Sequence, residues 1–172
     1  MPPAIPPFEE VVAFHGHVCP GVALGYRVAE TAMRELRAGR PEDEQLVAVV
    51  ENDSCAVDAI QYVTGCTFGK GNLVFRDYGK HIYTFFNRDS GQAVRISEHF
   101  QSDEPDRQAR IREILAAPEE TLLTIQPVDT PAPERARIFR SLRCAACGET
   151  VMETRTRTRD GKVLCIPCAE GH

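Results

Sequence analysis

The sequence has no run that approaches the roughly 18 consecutive apolar residues a membrane-spanning helix needs. Its first residues, Met1-Pro2-Pro3-Ala4-Ile5-Pro6-Pro7, carry neither a basic region nor an apolar stretch, so they do not read as a secretion signal. Internal repeats and low-complexity tracts are absent. These absences predict a cytoplasmic protein with no membrane partner. In that reducing compartment the seven cysteines favour metal binding or catalysis over disulfides. The length of 172 residues suits one ordinary core plus a small accessory unit.

Charge divides the chain. Residues 131–172 hold eight Lys/Arg against five Asp/Glu, a net of +3, whereas residues 1–130 carry a net of −8. Between them, Thr130-Pro131-Ala132-Pro133 reads as a stiff linker. Two domains follow, 1–130 and 131–172, and the opposite charges suggest different partners.

Within the first domain, Phe8, Val11 and Val12 are spaced for a short helix over 8–14. Pro20 suits the first turn of a second helix, with Val22, Tyr26, Ala29, Met33 and Leu36 as its apolar stripe and Gly39 as its stop. Residues 45–50 read as a buried strand. Asn52, Asp53 and Ser54 supply caps for a helix from Cys55 to Thr64, which Gly65 ends. Residues 73–78, 81–87 and 92–97 predict an antiparallel meander with turns at Gly79-Lys80 and Asp89-Ser90-Gly91. An amphipathic helix over 106–117 and a strand over 123–128 complete an α+β domain, with helices packed on a mainly antiparallel sheet.

In the tail, Cys144-x2-Cys147 and Cys165-x2-Cys168 are separated by seventeen residues. Each pair can grip one metal from a tight turn, and two pairs complete a zinc tetrahedron of thiolates. Residues 151–159 alternate like a strand, Asp160-Gly161 is a hairpin turn, and a terminal helix from Pro167 carries the last ligand. A unit this small needs the metal to fold. Arg155, Arg157 and Arg159 fall on one face of that strand. With Arg140 and Arg143 they are candidates for phosphate contacts, although no aromatic platform is interleaved with them.

A second cluster lies near the N-terminus. Cys19 and Cys55 each start a helix, where unpaired amides and the helix dipole stabilise a thiolate. His15 and His17 flank Cys19, and Asp53 sits beside Cys55. Imidazole and thiolate together suit zinc, iron, nickel or copper. The loop Gly65-Cys66-Thr67-Phe68-Gly69-Lys70-Gly71-Asn72 is one residue short of a P-loop, and Gly71 stands where Ser/Thr is required, which excludes that mode of nucleotide binding. Its backbone with Cys66, Lys70 and Asn72 remains a candidate anion loop. His81 reads as a strand residue and His99 as surface.

Three blocks carry a family resemblance: Phe14-His15-Gly16-His17-Val18-Cys19-Pro20-Gly21, the stretch from Glu51 through Asn52-Asp53-Ser54-Cys55 to Gln61, and Thr64-Gly65-Cys66 through Lys70-Gly71-Asn72-Leu73. They resemble the FmdE family, named for the FmdE component of formylmethanofuran dehydrogenase. That resemblance implies an α+β core, an intertwined homodimer and a metal pocket with His17, Cys19 and Cys55 as ligands and His15, Asp53 and Asp58 as neighbours. The tail resembles the DksA/TraR zinc finger in Cys144-Ala145-Ala146-Cys147-Gly148-Glu149, Gly161-Lys162-Val163-Leu164-Cys165 and Cys168, which implies a treble-clef-like structural site for contacts with protein or nucleic acid. The expectation is a metal-binding accessory protein related to that component, with a zinc finger that docks on a protein partner. The competing expectations are a zinc-dependent enzyme or oxidoreductase component of one-carbon metabolism, and a zinc-finger regulator that binds nucleic acid.

Overall fold

The computed structural model describes residues 5–171; residues 1–4 and the terminal His172 lie outside the described residues. By its internal contacts the chain falls into two units, 1–135 and 136–172.

The body opens with helix α1 (Phe8–His15), which Gly16 ends in the left-handed region at φ 97. Helix α2 (Pro20–Glu35) buries a stripe wider than five positions, including Val22, Leu24, Val28, Ala29, Ala32 and Met33. It stops before Gly39. Arg37 takes the left-handed residue at φ 46, and the Ala38 amide bonds back to the Met33 carbonyl at 3.0 Å. The chain thus closes its last turn with a hydrogen-bond pattern that usually recruits glycine. The Arg27 guanidinium of α2 donates to the carbonyls of Ile114 (2.7 Å), Leu115 (3.2 Å) and Ala117 (3.0 Å), which lack partners at the end of helix α4 (Arg107–Ala116).

Strand β1 (Leu46–Val50) is buried at every position. Helix α3 (Ala56–Thr64) follows it and ends at Gly65, φ 69. Strands β2 (Leu73–Phe75), β3 (Ile82–Asn87), β4 (Ala93–Glu98) and β5 (Leu123–Pro127) complete a sheet in the order β2-β1-β3-β4-β5. The expected meander holds only from β3 onward. β2 runs parallel to β1 on its far side, with Ala48 opposite Leu73, and does not pair with β3. The reason is connectivity: β1-α3-β2 is a crossover unit, which returns the chain parallel to its start. Gly79-Lys80 therefore joins strands two places apart and is no hairpin turn.

The sheet has two unlike faces. Ala48, Val50, Tyr83, Phe85, Val94 and Ile96 point into the main core with α2 and α3. Val47, Val49 and Phe86 point the other way and pack with Ala132. The proline-rich linker is thus laid on the sheet, and Arg88 donates to the Pro133 carbonyl at 2.7 Å.

In the tail unit, β6 (Ser141–Arg143) pairs with β7 (Thr150–Met152), and β8 (Thr156–Arg159) pairs with β9 (Lys162–Cys165). A short 3-10 turn, Glu153–Arg155, breaks the continuous strand expected over 151–159. Glu153 stays opposite Arg140 at the end of the β6–β7 pairing, its amide on the Arg140 carbonyl at 2.9 Å and its carboxylate on the Arg140 amide at 3.1 Å, and the chain turns after it. Arg155 consequently leaves the strand, and only Arg157 and Arg159 remain on β8. Asp160 (φ 49) and Gly161 (φ 72) form the expected left-handed hairpin turn.

Candidate metal centres

Helices α2 and α3 cross closely because position 25 has no side chain. A Cβ at Gly25 would overlap the Ala56 backbone of α3, and one at Gly21 would press the Cys55 Cβ at 3.2 Å. This crossing brings the starts of both helices together. Cys19 is the N-cap of α2, in extended backbone, and its sulfur accepts the Val22 amide at 3.4 Å. Cys55 is the N-cap of α3, with no side-chain capping bond.

The ligand atoms of His15, His17, Cys19 and Cys55 all lie within 4.8 Å of one another. The His15 and His17 rings are 4.5 Å apart. Cys19 is buried, His15 and Cys55 are half-buried, and His17 is exposed. His15 Nδ1 bonds Asp58 Oδ2 at 2.6 Å. Its other nitrogen, Nε2, is buried with no hydrogen-bond partner. A buried polar atom without a partner costs about 1–3 kcal/mol, and a cation held by the cluster removes that cost. The donor set fits a transition metal of borderline softness.

Helix position alone does not favour the Cys55 thiolate as expected. Loss of water around the sulfur raises its pKa first, and the adjacent Cys19 thiol adds to the rise. Two sulfurs this close ionise together only beside a cation.

Asp53 is exposed and lies outside the four-donor group. Cys66 is fully buried, donates to the Leu46 carbonyl at 3.4 Å, and is pushed up to about 11 by burial. Lys70 donates to the Gly65 carbonyl at 2.8 Å, and Asn72 to the Leu46 carbonyl of β1 at 2.8 Å, so these polar groups are spent on main-chain carbonyls of the loop and of the neighbouring strand. His81 faces Glu98 at 3.6 Å, and His99 is exposed.

In the tail, Cys144, Cys147, Cys165 and Cys168 likewise place their sulfurs within 4.8 Å. Cys144 follows β6, and Gly148, at φ 76, turns the chain after Cys147. Cys165 closes β9 and caps the helix α5 (Ile166–Glu170), which carries Cys168. Backbone amides of Cys147 and Cys165 lower the Cys144 thiol to about 6. The thiols of Cys165 and Cys147 push Cys168 up to about 12. One ionised sulfur thus opposes the next, and a dication removes the conflict. This cluster fits a four-cysteine zinc finger with no open position.

The profile described as "FmdE, Molybdenum formylmethanofuran dehydrogenase operon" matches residues 14–126, which contain all four core donors. The chain belongs to the FmdE family. Residues 137–172 of this FmdE protein match the prokaryotic dksA/traR C4-type zinc finger. A curated relative, a "Probable S-adenosyl-L-methionine-binding protein" of Archaeoglobus fulgidus, is 34% identical over 192 aligned positions, covering 91% of this chain and 50% of the relative. The chain therefore spans about half the length of that relative. A crystal structure of a tungsten formylmethanofuran dehydrogenase FmdE-like protein from Syntrophus aciditrophicus superposes with a TM-score of 0.72 at 25% identity, covering 99% of this chain and 97% of that one. Among the described residues no helix is long and apolar enough to cross a membrane.

Reading the sequence missed Gln61, which bonds Asp58 Oδ1 at 3.4 Å. The signal was present. Cys55, Asp58 and Gln61 recur every three residues and so share one side of α3.

Proposed function

We propose that this FmdE protein is a metal-binding accessory protein with a transition metal held by His15, His17, Cys19 and Cys55 and a structural zinc held by the tail cysteines. The observation that carries the core site is the buried, partnerless His15 Nε2 beside two thiols and a second imidazole. A metal there would supply Lewis acidity or electron transfer, according to its identity. Homodimer formation and docking of the finger on a protein partner belong to the same reading. Ile138, Phe139 and Met152, all exposed on the tail unit, support the docking role.

Metal analysis of the purified chain tests the core site. Two metals per chain are expected, falling to one in Cys19→Ser with an unchanged circular dichroism spectrum. An equal metal content in wild type and Cys19→Ser refutes the core site.

Two observations favour other readings. His17 is the exposed member of the core four, and an enzyme needs one coordination position that a substrate can take. Displacement of His17 by azide, seen in the spectrum of the cobalt-loaded chain, would favour catalysis. Arg157 and Arg159 are exposed and have no acidic partner among the described residues. Salt-sensitive binding of DNA or RNA that disappears when both are replaced would favour a nucleic-acid role.

A further inference from the structure

We propose that Asp58 is the positioning residue of the core site and that Gln61 holds Asp58 in place, an inference that rests on the metal reading above. An ionised carboxylate can only accept a hydrogen bond. The 2.6 Å contact with Asp58 Oδ2 therefore places the proton of neutral His15 on Nδ1 and leaves the lone pair on Nε2. Nε2 is the buried nitrogen that lacks a protein partner. The same bond stops the ring from turning and leaves Nε2 as the nitrogen that can join Cys19, Cys55 and His17 around a metal. Metal-binding histidines commonly carry such a partner, and its loss weakens metal binding.

The support continues one turn along α3. Gln61 Nε2 donates to Asp58 Oδ1 at 3.4 Å, and Gln61 Oε1 accepts the Phe68 amide at 3.3 Å. Both ends of the Gln61 amide are thus used, which fixes its orientation. The segment that offers the Phe68 amide is itself pinned: Thr67 N donates to Asn72 Oδ1 at 3.0 Å, and Lys70 Nζ to the Gly65 carbonyl at 2.8 Å. A continuous chain of bonds therefore runs from the glycine-rich loop through Gln61 and Asp58 to the imidazole. One face of α3 supplies a metal donor, Cys55, and the two side chains that aim another donor, His15.

Cobalt(II) titration of the full chain tests this, in competition with a chromophoric chelator. The core signal is the absorption that Cys19→Ser abolishes. Asp58→Ala is expected to lower cobalt affinity at that site about 10- to 100-fold and to shift its ligand-field bands. Asp58→Asn keeps an acceptor oxygen for Nδ1 and should recover part of the loss. Gln61→Leu should give a smaller loss in the same direction. Metal-free Asp58→Asn should melt with the wild type, a result that a purely structural role would not give. Wild-type affinity and bands in the Asp58 and Gln61 variants overturn this inference alone. If Asp58→Ala fails to fold, Asp58→Asn and Gln61→Leu decide by the same criterion. A wild-type chain without a Cys19-dependent cobalt signal overturns the metal reading, and this inference with it.

Discussion

Gly25→Ala should destabilise the body, although alanine is the better helix former. Gly25 lies in the interior of α2 and is buried. Restoring a methyl there relieves the backbone-entropy penalty of glycine, a gain of about 1 kcal/mol. Against it stands the Ala56 backbone of α3, whose Cα, carbonyl carbon and oxygen the new Cβ would overlap. Overfilling a packed interior costs about 1–3 kcal/mol. Here the upper end applies, since the obstruction is main chain and no rotamer change can clear it. The net effect is a loss of about 2 kcal/mol. With a urea slope near 2 kcal/mol per molar, the midpoint falls by about 1 M. Chelator-treated protein keeps metal out of the comparison. Gly39→Ala is the control, because its Cβ meets open space. Its midpoint should stay level or rise slightly. Gly25→Ala should also lose the core metal, since separating the helices separates Cys19 from Cys55. A midpoint for Gly25→Ala at or above that of the wild type would refute the claim that this crossing depends on a missing side chain.

Cys144→Ser should unfold the tail unit and remove its zinc, while the melting of the body stays unchanged; metal analysis with hydrogen exchange resolves the two units. Retained zinc would sink that assignment. Cys66 gives a pH prediction. Burial raises its thiol from 9.0 to about 11, so between those values the unfolded chain has released a proton that the folded chain still holds. Stability must then fall as pH rises through that interval, by about 2–3 kcal/mol from this group. Cys66→Ala lacks the contribution, and urea curves from pH 8 to 11 should show its deficit against wild type shrinking. Parallel curves would count against it.

The helices were legible because their signals are local. Pro20 and Gly65 punctuate the chain by backbone preference, and the stripe from Val22 to Leu36 repeats at the helical period. Strand order was not. β2 has three residues, too few to encode a neighbour, and its parallel partner is fixed by the crossover through α3. The tail break at Glu153–Arg155 was hidden for a similar reason, since Glu153 pairs with Arg140, thirteen residues away, and not with the strand that follows it. The core donors were legible as residue types at two helix starts. Their convergence depends on Gly25, where absence of a side chain carries no chemical signal of its own. The orientation of His15 was beyond reach, because it needs Asp58, forty-three positions distant, to be brought alongside.

The segment that joins the two units also decides where they can be cut. Ala132 shields Val47, Val49 and Phe86, and Arg88 anchors Pro133. A body trimmed at residue 130, where composition invites the cut, would bare three neighbouring apolar side chains and invite self-association. Trimming after residue 135 keeps that lid in place, so the shortest well-behaved form of the body should include the prolines.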